Sequence, residues 1–318
     1  MPVSKIHSGY ELRIPESHMG QRLDQALATL FPQFSRSRLQ HWLASGNLLI
    51  DGEIVKAKTK VLGGELISIL TSDSAEDSAF EPEDVPFDVV YEDDDLIIVN
   101  KTDDMVVHPG SGNWSGTLLN GILFRYPYNK NIPRAGIVHR LDKDTTGLMV
   151  VAKSLEAQTS LVRQLQSKSV RREYYALVSG KSPSQGTIDE PIGRHPRNRK
   201  KMSITANGKN AVTHYTTIDS GREWSALSCL LETGRTHQIR VHLTALGHPL
   251  IGDPTYTGNS KKYASLTKAL PFERQALHAK SLTLTHPGTD KVISWDSDIP
   301  SDIQALLAAL KTSDNERP

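Results

Sequence analysis

The chain has 318 residues, enough for about two domains with sizeable hydrophobic cores. It contains no apolar run near the roughly 18 residues that cross a bilayer, and its first residues carry no apolar export segment, so we expect a cytoplasmic protein without membrane contacts. A single cysteine, Cys229, excludes an internal disulfide framework; it lies in the strand-like run WSALSCLLE and is interpreted as core.

The net charge of +1 hides an uneven distribution. The segment from Asp73 to Asp95 contains eleven acidic residues and no Lys or Arg, so the remainder of the chain carries +12. Between Arg134 and Asn210, fifteen Lys or Arg stand against six Asp or Glu. A basic body with an acidic insert favours a polyanionic partner, although charge alone fits a solvated basic face equally well.

Residues 18–72 predict a small α+β unit. The apolar stripe within residues 23–30 predicts a helix that Pro32 ends, and a second helix is predicted from Ser37 to Gly46. The segment NLLIDGEIVK predicts a hairpin whose turn, Asp51-Gly52, is of the primed type. A further strand, GELISIL, follows.

The acidic stretch 73–86 is interpreted as a linker to a second domain over residues 87–312, with a frayed tail over 313–318. Strands are predicted at FDVVY, LIIVNK, EYYALVSG, AVTHYTTID and WSALSCLLETG, and helices at TLLNGILFRY, SLEAQTSLVRQLQSK, THQIRVHLTALG and IPSDIQALLAALK. Strands come in runs more often than in alternation with helices. We therefore expect an α+β fold with a mixed, largely antiparallel sheet.

The segment 136–154, GIVHRLDKDTTGLMVVAKS, places a histidine and opposed charges between two apolar runs that read as buried strands. Ordinary turns use Asn, Gly and Asp for their backbone angles and need no such set. A loop aspartate is nevertheless commonly a turn-former, so Asp142 by itself does not establish a catalytic site.

Two resemblances give these patterns a shared interpretation. The helix, helix and basic hairpin of residues 18–72 resemble an S4 domain, a small RNA-binding module. The motifs HRLDKDTTG (139–147), RREYYA (171–176) and ETGRTHQIRVHLTALGHPLIGD (232–253) together resemble the RluA-type pseudouridine synthases, and the S4-like unit matches the RluD-like branch. Much of the wider family has Ser at the position of Thr146. Thr also carries a hydroxyl, so that group is retained.

The resemblance implies a cofactor-free and metal-free isomerase that converts uridine to pseudouridine in large-subunit (23S) ribosomal RNA, at helix 69. It implies Asp142 as the essential carboxylate, Tyr174 as the aromatic that stacks on the flipped base, and Arg240 as the partner of Asp142. Arginine beside a buried carboxylate favours its charged form, so we predict an Asp142–Arg240 pair whose truncation on either side costs about 3–5 kcal/mol.

The same resemblance gives Arg140 the place of the flipped base in the RNA stack, and His139 the orientation of the loop. We expect ribosomal RNA, free or in the assembling particle, as the partner of a monomer. The remaining RNA-contact candidates are cationic: Arg171, Arg172, Arg197, Arg199, Lys200, Arg36 and Arg38.

Two other functions compete with this interpretation. A non-catalytic RNA-binding or ribosome-assembly protein would use the same basic surfaces without turnover, but it would not need Asp142, Tyr174 and Arg240 together. A metal hydrolase would draw on His237, His242, His248 and Asp253. His237 and His242 are five residues apart on a predicted helix, whereas zinc-binding helical pairs sit at i, i+4.

Overall fold

The computed structural model describes residues 4–6, 9–32, 34, 36–70, 79–110, 112–198, 200–257 and 272–316. The chain divides into two units, residues 1–79 and 80–318, and each has its own hydrophobic core. Within the described residues, none of the helices combines the length and apolarity needed to cross a membrane.

The first unit packs two helices on a four-stranded antiparallel sheet of order β1-β2-β4-β3. Its elements are β1 (Ser4–Ile6), β2 (Gly9–Arg13), a 3-10 turn (Glu16–His18), α1 (Leu23–Leu30), α2 (Arg36–Ser45), β3 (Leu48–Ile50) and β4 (Leu66–Leu70). The side chains of Leu27, Phe31 and Trp42 are buried between the layers. Asp51 and Gly52 both have positive φ, so the predicted primed turn is confirmed.

In the second unit, nine of the described strands form one sheet of order β5-β6-β7-β14-β8-β13-β12-β9, with β15 paired to β14. Its strands are β5 (Asp88–Glu92), β6 (Leu96–Lys101), β7 (Thr146–Ala152), β8 (Arg171–Ser179), β9 (Gln185–Asp189), β12 (Val212–Ser220), β13 (Trp224–Leu231), β14 (Leu277–Thr285) and β15 (Val292–Asp296). A separate two-stranded hairpin consists of β10 (Ile192–Arg194) and β11 (Met202–Ile204).

All neighbours in the large sheet run antiparallel except β7 and β14, which are parallel. The predicted mixed, largely antiparallel α+β fold is therefore confirmed. Helices cover both faces: α3 (Leu118–Arg125), α4 (Leu155–Gln166), α5 (Gln238–Ala245) and α6 (Ser301–Glu316). Because successive side chains of a strand point to opposite faces, the sheet has a separate hydrophobic layer on each face. Helices α3 and α5 pack on one face of the sheet, and α4 and α6 pack on the other.

The sequence-based strand at residues 136–138 is wrong. A 3-10 turn occupies Pro133–Gly136, and Ile137 makes only an isolated bridge to Val151 of β7. Three successive residues from Arg134 to Gly136 have positive φ, which breaks an extended path. The Asn129 amide donates to the carbonyls of Ala135 and Ala152, and this holds the turn against the sheet.

The frayed tail predicted over residues 313–318 differs from the structure at residues 313–316, because α6 continues to Glu316, while residues 317 and 318 lie outside the described residues. The Asp314 carboxylate accepts hydrogen bonds from the indole N–H of Trp224 at 2.8 Å and from the backbone N–H of Arg222 at 3.2 Å. The final turns of the helix are thereby joined to the sheet. A sequence-based reading sees a polar, terminal segment and cannot detect that contact.

Gly136→Ala should destabilise the second unit more than Gly247→Ala. Both glycines have positive φ, but a Cβ at Gly136 would overlap the carbonyl oxygen of Ala152, whereas one at Gly247 would meet nothing within 4 Å. Adding a left-handed penalty to overpacking gives a loss of about 3 kcal/mol for the first variant and about 1 kcal/mol for the second. Urea unfolding of both variants measures the difference, and equal losses would contradict this account of the turn.

Candidate active site

A buried lysine, Lys101, holds the polar loop that follows this turn. Lys101, at the end of β6, is 1% exposed, and its ammonium donates to the carbonyls of Thr102, Met105 and Lys143 at 2.7, 3.0 and 2.7 Å. Burial lowers the pKa of Lys101 to about 8, although nearby carboxylates oppose the shift. The lysine fixes the backbone one residue beyond Asp142.

Long-range hydrogen bonds hold the other side of the loop. Arg274 donates to the carbonyl of Asp144 at 3.1 Å, the Gln275 amide donates to the Thr145 hydroxyl at 3.1 Å, and the Thr146 hydroxyl bonds His278 at 2.9 Å. These partners immediately precede or begin β14, the parallel neighbour of β7. The parallel strand pair therefore carries the clamp that orients the loop.

His139 contributes to the orientation as predicted. Its Nε2 accepts a hydrogen bond from the backbone N–H of Val150 at 3.1 Å. Burial, reinforced by the charge of Arg172, lowers the pKa of His139 to about 3. A neutral ring that accepts from β7 is thus a structural link between the loop and the strand that leaves it.

Asp142 faces a buried arginine, as the sequence predicts. The Asp142 Oδ2 atom accepts from Nη1 of Arg240 on α5 at 3.0 Å, and the Asp142 side chain is 16% exposed. Asp253 binds the same guanidinium through two further hydrogen bonds, at 2.7 Å to Nε and 2.9 Å to Nη2, and its side chain is fully buried. Arg240 therefore bridges one buried carboxylate and one that is open to the cavity.

The charges of this trio decide the protonation of Arg240. Burial alone would lower its pKa, but Asp253 and then Asp142 outweigh burial, and the net shift is upward. The guanidinium is permanently charged, and its orientation is fixed by Asp253 on the side away from the cavity. Its Nη1 donates one of the remaining N–H groups to Asp142.

Tyr174 and Tyr175 point to opposite faces of β8, as strand alternation predicts. Tyr174 lines the cavity beside Asp142 and is 6% exposed, whereas Tyr175 packs under α6. Burial and the Asp142 charge raise the pKa of Tyr174 against the opposing effect of Arg172, so its phenol remains protonated.

A cavity of about 550 Å³ opens in front of these groups. That volume lies within the range of small-ligand sites. Asp142, Tyr174 and Leu277 lie among its lining residues, as do the cations Arg140 and Arg172. Arg140 is exposed. Arg172 is 7% exposed, and its Nε has no hydrogen-bond partner among the described residues.

Three further predicted RNA-contact cations that the structure describes lie outside the cavity lining. Arg171 is exposed and pairs with Glu173 at 3.4 Å. Arg197 and Lys200 are exposed between β10 and β11. Three candidates fall outside what the structure describes, namely Arg199 as a whole and the side chains of Arg36 and Arg38.

The residues of the metal alternative are engaged elsewhere. His242 bonds the Thr213 hydroxyl at 2.9 Å and the Glu190 carbonyl at 3.0 Å, and His248 bonds the Ser179 carbonyl at 3.0 Å. Asp253 is the partner of Arg240. The sequence-based cluster is therefore dispersed over separate structural roles.

Sequence reasoning did not foresee Lys101, Tyr256 or the role of Asp253. A lysine at the end of the apolar run LIIVN is a signal of a buried, satisfied cation that was available in the sequence. The sequence offers Asp253 as a candidate carboxylate. Its pairing with Arg240, however, depends on two separate segments lying close together in the fold. Tyr256 carried no local signal.

Comparisons with known proteins agree with this geometry. Residues 95–245 match the family model described as RNA pseudouridylate synthase, and residues 21–67 match the S4 domain. The chain is 50% identical over 301 residues to the ribosomal large subunit pseudouridine synthase D of Nitrosomonas europaea, covering 95% of this chain and 88% of that protein. It is 48% identical over 309 residues to the Escherichia coli K12 protein of the same name, covering 95% and 94%.

The structure of human RNA pseudouridylate synthase domain containing 1 is similar, with a TM-score of 0.55, 27% identity and coverage of 78% of this chain and 99% of that one. The chain belongs to the pseudouridine synthase family. It is an RNA pseudouridine synthase that carries an S4 domain, so the resemblance drawn from the motifs is confirmed.

Arg240→Met should cost far more stability than Asp142→Asn. The first change leaves the fully buried Asp253 without its partner, which costs about 3–5 kcal/mol. The second leaves the Arg240–Asp253 pair intact and keeps an acceptor for Nη1, so the loss should stay within about 1 kcal/mol. This corrects the expectation that removing either partner is equally costly. Urea denaturation of both variants checks it, and a large loss for Asp142→Asn would contradict the assignment of Asp253.

Proposed function

We propose that the enzyme isomerises specific uridines of large-subunit ribosomal RNA, in helix 69, with Asp142 as the essential carboxylate acting on a flipped-out base. The proposal depends above all on the position of Asp142, which is held at 3.0 Å from a permanently charged Arg240 on the wall of a base-sized cavity. The relatives from Nitrosomonas europaea and Escherichia coli, named as ribosomal large subunit enzymes, support the choice of RNA.

The reaction breaks the bond between uracil N1 and the sugar C1′ and forms a bond from C5 to the same carbon. N1 gains a proton and C5 loses one. A charged carboxylate fixed by an arginine, with neither metal nor redox chemistry, is the group such an exchange requires. The hydrogen bond from Arg240 fixes the orientation of that carboxylate at the cavity wall.

The remaining groups of the cavity suit a flipped nucleotide. Tyr174 offers a buried aromatic face with a protonated phenol. Exposed Arg140 is available to fill the gap that the base leaves in the RNA stack. Arg172 adds a buried cation to the cavity lining, and its positive charge favours an anionic ligand there.

Cations outside the cavity would track the RNA backbone. In the S4 unit, Lys56, Lys58 and Lys60 are exposed in one short stretch. In the catalytic unit, Arg197 and Lys200 are exposed at the tip of the β10–β11 hairpin. We propose that these surfaces contribute affinity by neutralising phosphates and make no contact with the reacting base.

Asp142→Asn should abolish tritium release from ribosomal RNA labelled at uridine C5, because isomerisation must expel that hydrogen. We expect a loss on the order of 10⁴-fold or more, with RNA affinity nearly unchanged. Asp104→Asn is the matched control: this exposed carboxylate pairs with Lys143 of the same loop at 2.7 Å but lies outside the cavity lining, and it should keep full release.

Full release by Asp142→Asn would contradict the role of that carboxylate. The proposed substrate would be wrong if the wild-type protein binds large-subunit RNA and its assembling particle but releases no tritium from either. The binding or assembly role would then be favoured. Sequencing of the modified RNA tests helix 69 separately.

Removal of residues 1–79 should weaken substrate binding while chemistry survives. The second unit has its own core and contains the whole cavity, so it should fold alone. Loss of the S4 cations should raise KM for ribosomal RNA at least about tenfold, with kcat on short uridine-containing RNA largely retained. A folded truncation without any activity would contradict this division of labour.

A further inference from the structure

His237 lies near the carboxylate oxygen of Asp142 that Arg240 does not bind. His237 immediately precedes α5, lines the cavity, and places its Nε2 at 3.9 Å from Oδ1 of Asp142. Arg240 binds the other oxygen, Oδ2. Each carboxylate oxygen of Asp142 therefore has a different nitrogen in front of it, and the one near Oδ1 is slightly too distant for a hydrogen bond.

The other ring nitrogen of His237 is bonded to Tyr256. The Tyr256 hydroxyl lies 2.8 Å from Nδ1 of His237 and also 2.8 Å from the backbone nitrogen of Met202 in β11. Met202 N–H can only donate, so the hydroxyl accepts from it and keeps its own proton for a bond to Nδ1. In that arrangement the proton of a neutral His237 sits on Nε2, the atom that faces Asp142.

The surroundings keep the His237 ring neutral and oriented. Burial lowers the pKa of His237; Asp142 and Asp253 oppose that shift, while Arg240 and Arg140 add to it. The His237 backbone has φ 56° and ψ 24°, a left-handed conformation that a histidine adopts only at a cost.

The neighbouring Gln238 side chain maintains this backbone conformation. Its amide donates to the carbonyl of Val212 and the hydroxyl of Thr213, and its oxygen accepts from Thr233 and from the backbone of Arg235. The fold thus preserves a strained residue at the one place where its ring meets both Tyr256 and Asp142.

Tyr256 also belongs to the base of the β10–β11 hairpin. It is 8% exposed and packs with Ile192, Met202 and Ile204 of that hairpin. Lys201 donates to the carbonyl of Thr255 at 2.8 Å, which adds a second bond between the hairpin and the same segment. A displacement of the hairpin must therefore act directly on the Tyr256 hydroxyl.

We propose that Tyr256 and His237 are positioning residues that couple the basic β10–β11 hairpin to the catalytic carboxylate. RNA held by the hairpin tip draws the Nε2–H of His237 into hydrogen-bond distance of Asp142 Oδ1, and this completes the orientation of the carboxylate that Arg240 begins. The inference rests on the proposed function, because it assigns Asp142 the catalytic role.

Two substitutions of His237 separate this role from a purely structural one. His237→Asn keeps a residue that tolerates the left-handed backbone and an acceptor for Tyr256, but it has no donor that reaches Asp142. His237→Gln loses the backbone preference but places an N–H at the ε position. If the donor matters, Gln should retain about tenfold more single-turnover activity than Asn, and Asn should lose about a hundredfold relative to wild type.

Tyr256→Phe tests the coupling to the hairpin. Single-turnover release at saturating RNA should fall about tenfold with RNA Kd unchanged, because only the orientation of the His237 donor is lost. Tyr91→Phe is the matched control, since its hydroxyl also donates a 2.8 Å hydrogen bond, to Asp93, away from the cavity lining. Lys200→Ala should slow release at saturating RNA in wild type and have no further effect on that rate in the Tyr256→Phe background.

The outcomes distinguish this inference from the proposed function. Two results would overturn the coupling alone, provided that the wild type releases tritium. One is that His237→Asn is at least as active as His237→Gln. The other is that the effects of Lys200→Ala and Tyr256→Phe on the release rate are additive. Wild type that releases no tritium from any large-subunit substrate overturns the proposed function and the coupling together.

Discussion

The site depends on one interaction, the pairing of Arg240 with both Asp142 and Asp253. Charge removed from water is costly unless it is paired, and Arg240 is paired twice. Because Asp253 is fully buried and binds two nitrogens, it provides the structural half of the arrangement and leaves Nη1 for Asp142, whose side chain is 16% exposed. With Asp142 as the proposed catalytic carboxylate, stability and reactivity are divided between two carboxylates on one guanidinium. A site with Asp142 alone would have to obtain both from the same bond, and any substitution of Asp142 would then threaten the fold.

The sheet places these groups by bringing together segments that are far apart in the sequence. The polar loop leads into β7, Tyr174 belongs to β8, and β14 lies between them as the parallel neighbour of one and the antiparallel neighbour of the other. The helix α5 packs on the same face as Tyr174 and carries Arg240 to the loop. Buried Lys101, at the end of β6, donates a hydrogen bond to the carbonyl of Lys143 in the loop. Each functional side chain is therefore supported by a regular element or by a bond to one, which suits a carboxylate that must be held still.

Local patterns predict most of the elements and the central pair, and they fail where tertiary contacts override them. Helical stripes and strand alternation identify α4, α5 and the two faces of β8, and the family motifs point to the Asp142–Arg240 pair. The run at residues 136–138 has the composition of a strand, but the positive φ angles before it prevent one. The last turns of α6 look unsupported until Trp224 is seen to bond Asp314. Tyr256 has no signal at all, because its role arises from a backbone N–H of one segment and an imidazole of another.

The clamp on the polar loop has a consequence for the order in which the enzyme becomes competent during synthesis. Asp142, Tyr174 and Arg240 have all been translated well before Arg274, Gln275 and His278, yet these late residues bond Asp144, Thr145 and Thr146 across 130 to 132 positions of sequence. Long-range closures of this kind are made only once the distant partner is available. A nascent chain that ends after α5 would therefore carry the complete set of proposed catalytic side chains on an unfixed loop. The loop is therefore fixed only after β14 has been synthesised.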